Sequence, residues 1–150
     1  MAPVSSMLKA LSSVLRVGLA AVFVYAGVSK LLDLPGFEKS IADYGILLPG
    51  TEMAAAVVLV VLEILVGIGV LLGVRAAVGC MVGMLVMFIG VLSYGLWLGL
   101  DIECGCFGLG ESHKPSTALM IDIGLLCCCA LLYLLPTSLR SNLAGTAADS

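Results

Sequence analysis

The chain has 150 residues, room for one domain. Hydrophobic residues make up 61% of it and charged residues 11%, with a mean hydropathy of +1.21, whereas an ordinary soluble domain carries about 25% charged residues. So few charges cannot cover so much apolar side chain in water, which excludes a soluble enzyme and a disordered tail, and the formal net charge of −3 argues against binding a phosphate backbone. What remains is an integral membrane protein with six cysteines.

Charges fall in clusters, and the gaps between clusters are candidate spans. No charge lies between Arg16 and Lys30. Both flanking side chains can snorkel, so the usable first span is about Leu11 to Leu32. No Ala-x-Ala cleavage site follows it and Lys30 interrupts the region, so it is read as a retained helix and not as a signal peptide. The next stretch carries Asp33, which can cap a helix, and Pro35, which suits a first turn. Phe37, Ile41, Tyr44 and Leu48 then recur at three- or four-residue spacing, with Glu38, Lys39 and Asp43 on the other face. This predicts a short amphipathic helix at the outer interface, ended by Gly45, Pro49 and Gly50, acting as a lid on the bundle or as a docking platform.

Met53 to Val74 holds one charge, Glu63, and Ala76 to Leu100 holds none. The turn at Gly73–Val74–Arg75 is tight enough to make these two an antiparallel hairpin. Thr117 to Leu135 holds one charge, Asp122. A helix needs roughly 20 apolar residues to cross the hydrocarbon core, and each of these stretches qualifies. The predicted fold is an all-α integral membrane four-helix bundle, with spans at about 11–32, 53–74, 76–100 and 117–135 and a flexible tail over 137–150. Both termini then share one side. That side holds Lys9, Arg16, Arg75 and Arg140, against Lys30, Lys39 and Lys114 opposite, which places both termini in the cytoplasm of a bacterial inner membrane and the long loops in the periplasm.

The outer loop after the third span contains Cys104–Gly105–Cys106. In an oxidising compartment two such cysteines can bond. Their ring would be small and strained, with glycine relieving part of the strain, and a strained bridge is easily reduced. A bridge across so short a loop also stabilises little. Both arguments favour thiol–disulfide exchange, in which one cysteine attacks as a thiolate and the other resolves the mixed disulfide. Metal binding, with His113 and an acid as further ligands, and inert thiols are the alternatives. Cys127, Cys128 and Cys129 follow one another in the fourth span, where successive residues point about 100° apart. They read as packing residues or as a second redox group relaying electrons towards a quinone. Cys80, near the cytoplasmic end of the third span, reads as a packing residue.

Glu63 falls close to the bilayer centre, where a charge is expensive and marks a functional hypothesis. Lys30 or Arg16 can reach it, either to fix helix register or to build a polar site for proton handling or ligand binding. Asp122 makes a polar contact to a neighbouring helix or faces the same outer cavity as the cysteines, and His113 is a solvated loop residue or a proton-transfer group.

These residues resemble the MauE/DoxX family of redox-associated membrane proteins. The stretches are Ala26–Gly27–Val28–Ser29–Lys30–Leu31, Glu63–Ile64–Leu65–Val66–Gly67 and Cys104–Gly105–Cys106–Phe107–Gly108. Their order matches from about Leu11 to Leu135, and the cysteine element is the most specific of the three. The resemblance implies a four-helix membrane protein engaged in thiol–disulfide traffic with a thioredoxin-like periplasmic protein or a disulfide-containing client. It implies Cys104 and Cys106 as redox residues, and Lys30 and Glu63 as pocket residues. The first functional reading is therefore a disulfide-exchanging oxidoreductase, coupled to a membrane quinone. A soft-metal or small-thiol transporter, and a non-catalytic scaffold for a redox partner, are the alternatives.

Overall fold

The computed structural model describes residues 2–99 and 115–134. Over these the chain is all helical: α1 (Ala2–Leu32), α2 (Leu34–Asp43), α3 (Glu52–Leu71), α4 (Arg75–Trp97) and α5 (Pro115–Leu134). α1 packs on α3 and α5, α3 on α4, and α4 on α5, so the four long helices close a ring. α2 lies against α3 and touches α1.

Three of the helices are long and apolar enough to cross a membrane: the Ala10–Leu32 part of α1, α3 and α4. The apolar stretch of α5, Thr117–Tyr133, is shorter. The chain is thus a membrane-spanning helical bundle. Large apolar side chains cover the outward faces; Val58 is 56% exposed and Leu65 59% exposed on α3 alone. In water such a surface would aggregate, whereas in lipid it is simply solvated. The core between the helices is built from Leu19, Phe23, Val70, Met81, Leu85 and Leu132, all nearly inaccessible.

Among the long helices, the limits differ from the sequence expectation in three places. α1 starts near residue 2 instead of 11, because no glycine or proline interrupts residues 4–17. α3 stops at Leu71 instead of Val74. Gly73 takes the left-handed conformation (φ +82°), its N–H donates to Val70 O, and the N–H of Val74 donates to Gly69 O. That pair of bonds satisfies the last carbonyls of α3 and ends the helix. Val74 then serves as the N-cap of α4. α4 in turn ends at Trp97, where Gly99 (φ +67°) closes the last turn through a bond to Leu96 O.

α2 forms over the first part of the predicted amphipathic stretch and ends at Asp43, so Leu48, exposed in the following loop, is not on its apolar face. The Asp33 carboxylate accepts from the N–H of Gly36 at 3.2 Å, and a proline occupies the first turn. Phe37 is buried against Ala56 and Val60 of α3, while Lys39 and Asp43 pair on the exposed face at 3.0 Å. Tyr44 lies against Gly95 of α4, where any Cβ would sit 2.5 Å from the tyrosine ring. α2 therefore marks one end of the bundle, shared with the end of α1, the start of α3 and the end of α4. An Asp33→Ala variant should lose about 1 kcal/mol of local stability. Amide hydrogen exchange checks this: faster exchange confined to α2 is expected, and unchanged exchange there would show that Phe37 alone holds the helix.

Candidate functional site: a buried ion pair at a helix crossing

α1 and α3 run antiparallel and approach closely because glycines face each other's helix. A Cβ on Gly27 would lie 2.7 Å from Ile64 Cγ1 and 3.5 Å from Glu63 Cβ. A Cβ on Gly67 would lie 2.8 Å from Val24 Cγ2 and 3.2 Å from the Ala20 carbonyl oxygen. Small residues at such contacts let membrane helices come within backbone range.

This crossing brings Lys30 onto Glu63. A helical side chain leans towards its own N-terminus, so Lys30 reaches back from the end of α1 into the bundle. Its ammonium donates to both Glu63 carboxylate oxygens, at 2.6 and 2.8 Å. The two side chains are only 2% and 4% exposed. Glu63 is eleven residues past the first residue of α3, about 17 Å along its axis and so near the middle of a hydrocarbon core of about 30 Å. Two aromatic rings complete the cage. Lys30 Nζ lies 5.0 Å from the centre of the Phe88 ring on α4 and 5.4 Å from that of Phe37 on α2, within cation–π range. Asp122 of α5, also buried, lines the same small pocket as Lys30, Glu63 and Phe88. Every helix thus contributes one side chain to the site.

A larger apolar cavity of about 430 Å³ adjoins it, between α2, the loop that follows, α3 and α4. Phe37, Ile41, Tyr44, Leu59, Phe88 and Leu92 are among its walls. Phe88 lines both spaces, and Phe37 and Phe88 each face the larger cavity while also holding the Lys30 ammonium.

The structure brings together Lys30, Glu63 and Asp122. Arg16 is elsewhere: its Nη1 lies 2.9 Å from where a Cβ of Gly73 would be, against the α3–α4 turn at the opposite end of the bundle. The Glu63 carboxylate is engaged by Lys30. Cys104, Cys106 and His113 lie outside the described residues, as does the 137–150 tail. Cys127, Cys128 and Cys129 are free thiols pointing in different directions; Cys129 is fully buried in the core, Cys128 partly buried and Cys127 exposed. Cys80 is exposed on α4, so it does not pack inside this chain as expected, because its helical position falls on the outward face. Phe88 is the site residue that the sequence reading missed. A lone phenylalanine inside an apolar span carries no local signal.

The two motifs of the Lys30 and Glu63 stretches are now one structure. In each, a glycine makes the close approach and a charged residue three or four positions away uses it. The family model described as "Methylamine utilisation protein MauE" matches residues 8–135. The chain belongs to the MauE family. It is 32% identical over 111 residues to the methylamine utilization protein MauE of Paracoccus denitrificans, a match covering 71% of this chain and 59% of that protein. The chain thus spans about three-fifths of the length of its MauE relative. No solved structure matches it. Within the matched region of this MauE-family chain lie both halves of the ion pair, Asp122 and all six cysteines.

Proposed function

We propose that this chain is a membrane thiol–disulfide oxidoreductase that works at the outer membrane face through Cys104 and Cys106. The observation that carries this reading is the Cys104–Gly105–Cys106–Phe107–Gly108 element, standing between α4 and α5 in a chain of the MauE family. α5 completes a fourth span, both termini are cytoplasmic, the Cys-Gly-Cys segment is periplasmic, and α2 lies at the membrane interface. In the exchange, a thiolate of the pair attacks the disulfide of a thioredoxin-like partner or client and releases one client thiol. The second cysteine then attacks the mixed disulfide and releases the other. The pair ends as a disulfide and the partner as a dithiol, or the reverse when electrons flow the other way.

A membrane quinone is the matching two-electron partner: dithiol and quinone become disulfide and quinol, with two electrons and two protons transferred. The apolar cavity beside Phe37 and Phe88 supports this part of the reading, since a lipophilic ring needs an apolar cleft with a few polar groups nearby. The Lys30–Glu63 pair is the polar feature behind that cleft.

Thiol trapping in intact cells tests the reading. A membrane-impermeant maleimide is added before and after mild reduction, and Cys104 and Cys106 are identified by peptide mass. A bridge that opens on mild reduction, with loss of disulfide exchange in Cys104→Ser, is the expected result. Thiols that stay free under oxidising conditions and bind copper, zinc or mercury would overturn it in favour of metal handling. Full complementation by the Cys104→Ala/Cys106→Ala protein would make the chain a scaffold.

A further inference from the structure

Beside the ion pair is a small, partly open pocket of about 20 Å³, bordered by Lys30, Glu63, Asp122, Phe23, Phe88 and Leu125. A single water needs about 10–15 Å³ and two to four polar partners. Both conditions are met. An ammonium has three N–H donors, and Lys30 gives two to Glu63, leaving one. Each Glu63 oxygen receives one bond from Lys30 and keeps a lone pair. Asp122 is 9% exposed and borders the pocket, and among the described residues nothing donates a hydrogen bond to its carboxyl group.

The charges do not balance. The groups facing Asp122 are Lys30 from α1 and Glu63 from α3; α4 presents Leu85 and Phe88, which are apolar. Lys30 and Glu63 neutralise each other at hydrogen-bond distance. The second carboxyl group is then one positive charge short, in surroundings where an uncompensated charge is expensive. The pocket has room for about one water, and a proton on Asp122 is the smallest charge that balances the site.

We propose that this pocket holds one water and that Asp122 binds and releases a single proton through it, next to the Lys30–Glu63 pair. The site is a proton-exchanging centre inside the bundle. It rests on the membrane-bundle part of the proposed function and is independent of the cysteine pair, so either can fail alone. Asp122 is seven residues into α5, about 10 Å from the start of that helix along its axis.

Infrared difference spectroscopy of the full chain in lipid nanodiscs, between acid and alkaline buffers, tests the proposal. The expected result is one buried carboxyl C=O band that titrates, moves on isotopic labelling of aspartate carboxyl carbons, and stays put on labelling of glutamate. It should vanish in Asp122→Asn and return at a shifted frequency in Asp122→Glu. Filling the pocket through Ala26→Val, at another of its wall residues, should remove a water O–H band that shifts in ¹⁸O-water. A band that follows the glutamate label would place the proton on Glu63 and overturn the assignment. So would the absence of any titrating buried carboxyl band in the unmodified protein, a measurement that needs no variant to fold.

Discussion

A Lys30→Met variant should lose about 3–5 kcal/mol of stability, because it leaves the Glu63 carboxylate unpaired in the middle of the bundle. Glu63→Leu should cost a similar amount by stranding the Lys30 ammonium between Phe37 and Phe88. The double variant Lys30→Met/Glu63→Leu removes both charges together and should recover most of that loss. Replacing a buried pair by apolar side chains of similar size is often neutral or stabilising. Reversible unfolding in mixed micelles measures all three, and the double-variant cycle isolates the coupling. If the double variant is as unstable as either single one, the two residues do not act as a pair. The double variant should still loosen α2, since Phe37 loses its cation while keeping its apolar contacts with Ala56 and Val60. Faster amide exchange in α2 of the double variant would register that loosening.

The second large effect is steric. Gly67→Leu should destabilise by about 3 kcal/mol, at the upper end of over-packing costs. The first added carbon already meets Val24 Cγ2 at 2.8 Å and the Ala20 carbonyl oxygen at 3.2 Å. A valine methyl can rotate away, whereas a helix backbone cannot, so α1 and α3 must separate. Separation pulls Lys30 from Glu63 one turn further along, which makes this variant's cost non-additive with Lys30→Met. Gly67→Ala should show a smaller loss of the same kind. Gly83→Leu on α4 is the control, because no atom lies within 4 Å of its Cβ position and the added side chain faces outward. Unfolding measurements that show equal losses for Gly67→Leu and Gly83→Leu would mean that helix propensity, and not the α1–α3 contact, sets the effect.

Much of this was legible in the residues. The scarcity of charge forces a membrane location, and the spacing of Phe37, Ile41 and Tyr44 places α2, where Asp33 does cap the helix. Both signals are local or compositional, and tertiary packing had nothing to overrule. The partner of Glu63 was different. Lys30 and Arg16 are both long cations on the same helix, fourteen residues apart, and either reaches inward in principle. Which one meets Glu63 depends on how far α1 slides along α3, and that is set by Gly27 and Gly67 at the contact. Arg16 consequently ends over the α3–α4 turn at Gly73. Phe88 and Asp122 joined the site for a similar reason: the rotation of α4 and α5 about their axes decides which of their residues look inward, and apolar spans with side chains suitable for either lipid or protein do not encode that rotation.

By itself, the sequence determined that this is a helical membrane protein of the MauE pattern, where its main helices lie, and which few polar residues must find partners inside it. These follow from transfer free energy and from backbone preferences, which each residue carries wherever it sits. Only the tertiary structure decided that Lys30 and not Arg16 neutralises Glu63, that Asp122 borders the same pocket, and that Phe37 and Phe88 enclose the ammonium. Those outcomes depend on helix register and rotation, and register here is a packing solution, reached where two glycines let two backbones touch.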